Sequence, residues 1–495
     1  MIRNYLSDHC IYALRMIEVQ PRWIRSTWIA LGLSIPLSIR IYFPFIGTEV
    51  IFPAEPLLAF LFLLFCWQLA FQRPMISSLM DSWKEPVIFL SICWILVHIV
   101  SAAFSSLKMV SLKSTLVQII YIGVLVLLPV TAGVTGRENT RLAMRWHDRV
   151  FLLVVVFSLT TQSVVGFDRM GANFSSFPFY MDHTIFGAAL TFVLFRYLTK
   201  TWGEFHSGSS ASRKWVLLTI SILLLITLVV NHGRAAWLAV LVALGIAAAF
   251  RSGATFRGVL MSAAIVIPVL IAFHAPMLAL LRSNQVASQA HGTGLRGTAM
   301  SIWNVTTDTS NRERITRWTS AWLMFRDHPI TGTGPGTYQY FHHSMLTPAE
   351  LERSSSDRLI PDEEIIPAWK AGDVLLVRNN AESSPSNGGT AHSEYLLALS
   401  ERGILGALWW LVAGVVILKF TNRVFARDQK RSRSKEVYFA AFALIAYLVH
   451  AGVNNFLDDV KVALPFWIAL GWLWSDPRNA EISHTIKTHS RPPLQ

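Results

Sequence analysis

The sequence predicts an all-α polytopic membrane protein: about twelve transmembrane helices, with one large, partly helical loop between the ninth and tenth. Three observations carry this. Of 495 residues 53% are hydrophobic, and mean hydropathy is +0.44; a water-soluble fold with this balance would expose too much apolar surface. The apolar residues gather into blocks of about 17–25, the length that crosses a bilayer as a helix. Backbone groups in lipid must pair within their own segment, so such blocks are helices. No alternating pattern of a barrel appears.

The blocks lie at 27–46, 50–71, 86–105, 115–135, 149–167, 182–198, 214–231, 234–250, 257–281, 403–421, 436–453 and 461–475. The first contains Arg40, and the last is short. Basic residues orient them. With the N-terminus in the cytoplasm, the links on that side hold nineteen Lys and Arg, including Arg137, Arg141, Arg145 and Arg149 and the run Lys430 to Lys435. The short links on the other side hold five: Lys108, Lys113, Arg169, Arg234 and Lys461. Both termini are then cytoplasmic. The net charge of +13 follows from this topology and from contact with anionic membrane lipids, not from nucleic-acid binding. Residues 1–281 would carry nine spans, 282–402 the large loop on the side opposite the cytoplasm, 403–475 three more spans, and 476–495 a cytoplasmic tail. Cys10, Cys66 and Cys93 lie in or near apolar or N-terminal segments. They point to no disulfide framework and no metal site.

In the large loop, residues 310–345 carry apolar residues at helical spacing. Ile315, Trp318, Trp322 and Met324 describe an amphipathic helix flanked by Arg314 and Arg317, with Pro329 at its end. The glycines Gly332, Gly334 and Gly336 then form a tight turn, which either cradles a phosphate or only connects two helices. Residues 352–388 are rich in Ser, Asp, Glu, Pro and Asn. Asp362 to Glu364 read as a solvated turn between Pro361 and Pro367.

Two further positions face the same side. Arg234 follows a tight turn, Asn231 to Gly233, and starts the eighth span. It either snorkels to the interface or holds an anion at a helix N-terminus. His392 precedes a helix near Thr390, a candidate cap. The helix dipole disfavours imidazolium there, and a neutral ring is the form that accepts a proton. Glu394 and Glu401 are placed to orient it.

Together these segments resemble the O-antigen ligase and O-antigen polymerase superfamily of bacterial inner membranes, over about Asn231 to Val412. The carrying residues are Arg234 in HGRAAW; Arg314, Trp318, His328, Pro329, Gly332, Gly334 and Gly336; and His392, Ser393, Tyr395, Leu396, Glu401, Gly403 and Gly406. The acidic insert at 352–388 is longer than that pattern expects. The resemblance implies metal-independent, inverting transfer of a glycan from undecaprenyl diphosphate, with no cofactor, on the periplasmic face of the cell inner membrane. The acceptor is a lipid A core sugar in a ligase, or a second lipid-linked glycan in a polymerase. His392 would act on the acceptor hydroxyl, and Arg234 and Arg314 would hold the diphosphate. Arg169, Arg317, Gly334, Gly336, Tyr338, Ser393 and Glu394 are further candidates for substrate contact. Trp303, Trp318, Trp322, Tyr338, Tyr340 and Trp369 are candidates for stacking on sugars. A transporter is the alternative from another class. It predicts internal repeats and broken helices, and no clear repeat is present. His98, Asp182, His183 and His450 are the few titratable groups within or at the ends of spans.

Overall fold

The computed structural model describes residues 22–43, 48–83, 85–207, 209–262, 265, 309–342, 345, 390–426 and 434–474. Most of the ninth apolar block, Trp303, Trp369, the 352–388 insert, residues 430–433 and the C-terminal tail lie outside the described residues.

The chain opens with helix α1, Arg22–Leu37, and a two-stranded antiparallel hairpin, β1 Ile39–Phe43 and β2 Thr48–Phe52. Here the sequence expectation needs correction. The block 27–46 is not one helix, and the block 50–71 begins as a strand. The reason is local. Pro36 closes the helix, and IRIYF and TEVIF are β-branched and aromatic runs. Arg40 is also drawn sideways to Asp459, 3.1 Å away.

Helix α2 follows at Ala54–Phe71, then a short α3 at Arg73–Ser82 and α4 at Pro86–Phe104. Helix α5, Lys108–Ile122, runs through a π turn, Gly123–Leu127, into α6, Leu128–Thr131. Helix α7, Gly133–Val165, has 33 residues. Arg137, Arg141, Arg145 and Arg149 therefore lie on the turns of one long helix, not in a link. After the short α8, Arg169–Phe174, come α9 His183–Phe205, α10 Ala211–Val230 and α11 Arg234–Arg251. The second half contributes α12 Thr309–Asp327, α13 Tyr338–Phe341, α14 Glu394–Phe425, α15 Lys435–His450 and α16 Val460–Trp474.

Seven described helices are long and apolar enough to cross a membrane: α2, α4, the run Lys108–Thr131, α7, α10, α11 and α14. They enclose α9, α15 and α16, which are buried along most of their length. Close helix approaches use small residues, as membrane bundles do. A Cβ on Gly32 of α1 would lie 2.2 Å from the Ala143 carbonyl of α7.

The bundle has two polar ends. At one, Glu204 meets Lys435 at 2.6 Å and Arg213 at 3.2 Å. Arg141 meets Glu436 at 3.4 Å, and Asp148 pairs with Arg196 and Lys200. The basic residues in these pairs are among those the sequence grouped on one side, so that grouping coincides with real contacts. The other end carries His392.

Candidate active site

At the His392 end one turn gathers the rest. It is Ala451 to Asp459, between α15 and α16. The Arg314 Nε donates to the Val453 carbonyl at 3.3 Å. The Glu394 amide donates to the carbonyls of Ala451, at 2.9 Å, and Asn454, at 3.3 Å. Gln118 of α5 donates to Leu457 O and Asp458 Oδ1. Arg40 reaches Asp459, and Lys461 Nζ donates to the carbonyls of Ser38 and Phe179. A single turn thus fixes the arginine of α12 and the start of α14 to the bundle.

His392 is half-buried and has φ +46°, left-handed for a side-chain-bearing residue. Its carbonyl accepts from Trp318 Nε1 at 3.4 Å. The helix cap is not Thr390 but Ser393, whose hydroxyl accepts the Leu396 amide. Ser393 is buried. The left-handed residue just before the cap turns the chain sharply into α14. Among the described residues only His232 shares such a φ without being glycine, at +52°. Strain of this kind costs about 1–3 kcal/mol per residue and gathers at functional sites.

His232 stands two residues before Arg234. Its Nε2 lies 3.2 Å from the Phe167 carbonyl. Asn231 Nδ2 donates to the His183 carbonyl at 2.9 Å. A Cβ on Gly187 would fall 2.8 Å from that same nitrogen. The turn before α11 is thereby pinned to the start of α9, and Arg234 begins α11 half-buried. Arg169 begins α8 two residues from Phe167, which brings its backbone to the same corner.

Several candidates for substrate contact also have structural duties. Tyr338 is 1% exposed, with its hydroxyl on the Arg317 carbonyl at 2.8 Å and its ring stacked on His342. Arg317 is equally buried and donates to the Thr390 carbonyl at 3.4 Å. Glu394 turns its carboxylate to Tyr447 OH and to the Phe456 and Leu457 amides, all within 2.9 Å. It holds the turn together.

The glycine-rich turn does hold a carboxyl group, but that group is the chain's own. Glu401 accepts the amides of Gly336 and Tyr338. Gly334 N donates to the Glu401 carbonyl at 2.9 Å, and Thr333 N to Ser400 O at 3.0 Å. Gly334 has φ +115°, and a Cβ there would meet the Ser105 and Ser111 hydroxyls within 2.4 Å. The glycines are needed for this close packing. Gly336 sits 3.1 Å from Ser114 by the same measure. Of the two readings of this turn, the connector fits; the turn locks α12 to the kink of α14 at Gly403.

The residues sequence reasoning did not assign are His450, Asn454 and Asn455. All are less than 9% exposed. His450 lies within electrostatic reach of Arg314 and Asp182. Asp182 itself caps α9 through the Thr184 and Ile185 amides. Asp182, His183 and His450 were legible as titratable groups at span ends, but the two asparagines match no motif. Among the described residues no three His, Cys, Asp or Glu are grouped to hold a metal ion.

Residues 219–361 fit the family model described as O-antigen ligase. The matched segment contains Arg234, Arg314 and the glycine-rich turn, and it ends before His392. In a comparison with curated proteins, none matches the chain.

Proposed function

We propose that this chain, an O-antigen ligase-like membrane protein, transfers a glycan from undecaprenyl diphosphate to a sugar hydroxyl of a lipid A core. The site faces the periplasm in the bacterial inner membrane. The observation that carries the proposal is the shared anchorage of Arg314 and the His392 segment on the turn Ala451 to Asp459. That anchorage brings a fork for anions and an imidazole to one platform.

The chemistry needs both. A diphosphate is a good leaving group once its charge is held, and guanidinium groups hold it by paired hydrogen bonds without a metal. Arg314 and Arg234 have that role. A sugar hydroxyl is a weak nucleophile until a base takes its proton, and His392 has that role, worth about 10²–10⁴ in rate. The acceptor oxygen attacks the anomeric carbon opposite the diphosphate. As its bond forms, the bond from that carbon to the diphosphate oxygen breaks. The electron pair leaves with undecaprenyl diphosphate, the hydroxyl proton goes to the His392 ring, and the anomeric centre inverts.

Purified protein in proteoliposomes, given a labelled lipid-linked glycan and lipid A core, tests this. Label should pass to the lipid A core. Label on a second lipid-linked glycan alone would make the protein a polymerase. No transfer to either acceptor would refute glycan transfer.

A further inference from the structure

The turn that anchors the site sits unusually deep. Helix α15 has 16 residues and α16 has 15, so they are about 24 and 22 Å long at 1.5 Å per residue. The hydrocarbon core of a bilayer is about 30 Å thick. Helix α15 begins at the opposite, charged end, where Lys435 pairs with Glu204. The turn following His450 therefore lies below the level the longer helices reach. Irregular backbone at membrane depth survives only where protein encloses it or where it lines a polar cavity.

The side chains of this sunken turn are polar and poorly satisfied by the protein. Asn454 is 1% exposed, yet neither its Oδ1 nor its Nδ2 has a protein hydrogen-bond partner. Asn455 Oδ1 and His450 Nδ1 are buried in the same condition. A buried polar group left so costs about 1–3 kcal/mol, and clusters of such groups call for an explanation. The carboxylates alongside are already engaged: Asp182 caps α9, and Glu394 holds three donors. Of the turn's own carboxylates, Asp458 accepts from Gln118 and Asp459 pairs with Arg40, so the unsatisfied groups that remain are neutral amides and an imidazole. A cation would need a carboxylate there, and an anion would find Arg314 above it instead. An asparagine amide offers one donor group and one acceptor, which matches hydroxyls that both give and take hydrogen bonds.

We propose that Asn454 and Asn455, with His450, form the floor of the site and bind hydroxyl groups of the sugar joined to the donor diphosphate. This rests on the glycan-transfer reading and assigns its donor specificity to this turn. The geometry fits, because the floor hangs directly from the residues that hold Arg314 and the His392 segment. A sugar joined to a diphosphate held by Arg314 would lie beside it.

The test is equilibrium binding to the full chain in nanodiscs, with two probes: undecaprenyl diphosphate, and the same lipid carrying N-acetylglucosamine. Wild type should bind the sugar-bearing lipid more tightly. Asn454→Ala should weaken that lipid about three- to ten-fold, the factor for one lost hydrogen bond, and leave the sugarless lipid unchanged. Asn455→Ala, at the less buried position, should show the same selectivity and serves if the first variant fails to fold. Equal loss for both lipids, or no loss for either, would overturn the proposal. So would equal affinity of wild type for the two probes. If wild type binds neither lipid, the donor assignment itself fails, which is a distinct outcome.

Discussion

Gly403 is where the account of the site is most exposed to a single substitution. It sits inside α14 with φ +61° and ψ −153°, a backbone region that side-chain-bearing residues essentially never occupy. A Cβ added there would lie 2.3 Å from the Ile330 carbonyl oxygen and 2.7 Å from that of Pro329. The Ile404 amide donates to that same Pro329 carbonyl at 2.9 Å. Gly403→Ala thus adds backbone strain of about 1–3 kcal/mol to overpacking of about 1–3 kcal/mol. The expected loss is about 2–6 kcal/mol. Detergent-titrated unfolding in mixed micelles measures it, and transfer activity should fall in parallel, because the kink sets where the His392 segment begins. Gly414→Ala, in the same helix with no atom within 4 Å of the new Cβ, is the control and should change stability by less than about 1 kcal/mol. If Gly403→Ala unfolds within about 0.5 kcal/mol of wild type, the kink is not held as described.

Three further outcomes follow from the same geometry. Arg314→Lys keeps the charge but loses the fork, so it should impair transfer nearly as much as Arg314→Ala, while added EDTA should leave wild-type transfer unchanged; restoration by Mg²⁺ after chelation would refute the arginine-only account. Glu394→Gln keeps an acceptor for Tyr447 and the two turn amides but gives up the charge, so stability should fall by about 1–3 kcal/mol with the residual folded protein still active; an inactive, fully stable protein would make Glu394 the base. Reporter fusions at Ser310 and Asn387 should read periplasmic and at Arg431 cytoplasmic; a cytoplasmic signal at Asn387 would remove the basis for a periplasmic site.

Most of the bundle was legible because lipid leaves a backbone few choices, and long apolar runs name themselves. The hairpin at Ile39 to Phe52 was not, since its strands continue the same apolar blocks and only Pro36 and Arg40 interrupt them. Helix α12 was found, but its apolar residues divide: Met324 is buried and Trp318 half-buried. Ile315 and Trp322 are 44% and 55% exposed, while Thr316, Arg317 and Ser320 are buried. A period in hydrophobicity marks a helix, but beside a membrane the apolar stripe need not face the protein. His392, Arg234 and Arg314 stood out as charged or titratable groups next to apolar spans. The residues that gather them did not. The Glu401 carboxylate fills the glycine-rich turn from about 65 residues along the chain, and the turn after His450 carries Arg314 and Glu394 through backbone carbonyls, which leave no trace in a sequence.

The most direct measurement compares glycan transfer by wild type, His392→Ala and His392→Gln on one lipid-linked donor, with donor binding measured alongside. Both variants should stay folded and bind donor, because Arg234 and Arg314 hold the diphosphate. Both should lose transfer by about 10²–10⁴, the range for a missing general base, and glutamine should fail as fully as alanine because it takes no proton. Near-normal transfer by His392→Gln would contradict the account and reduce the ring to a positioning group.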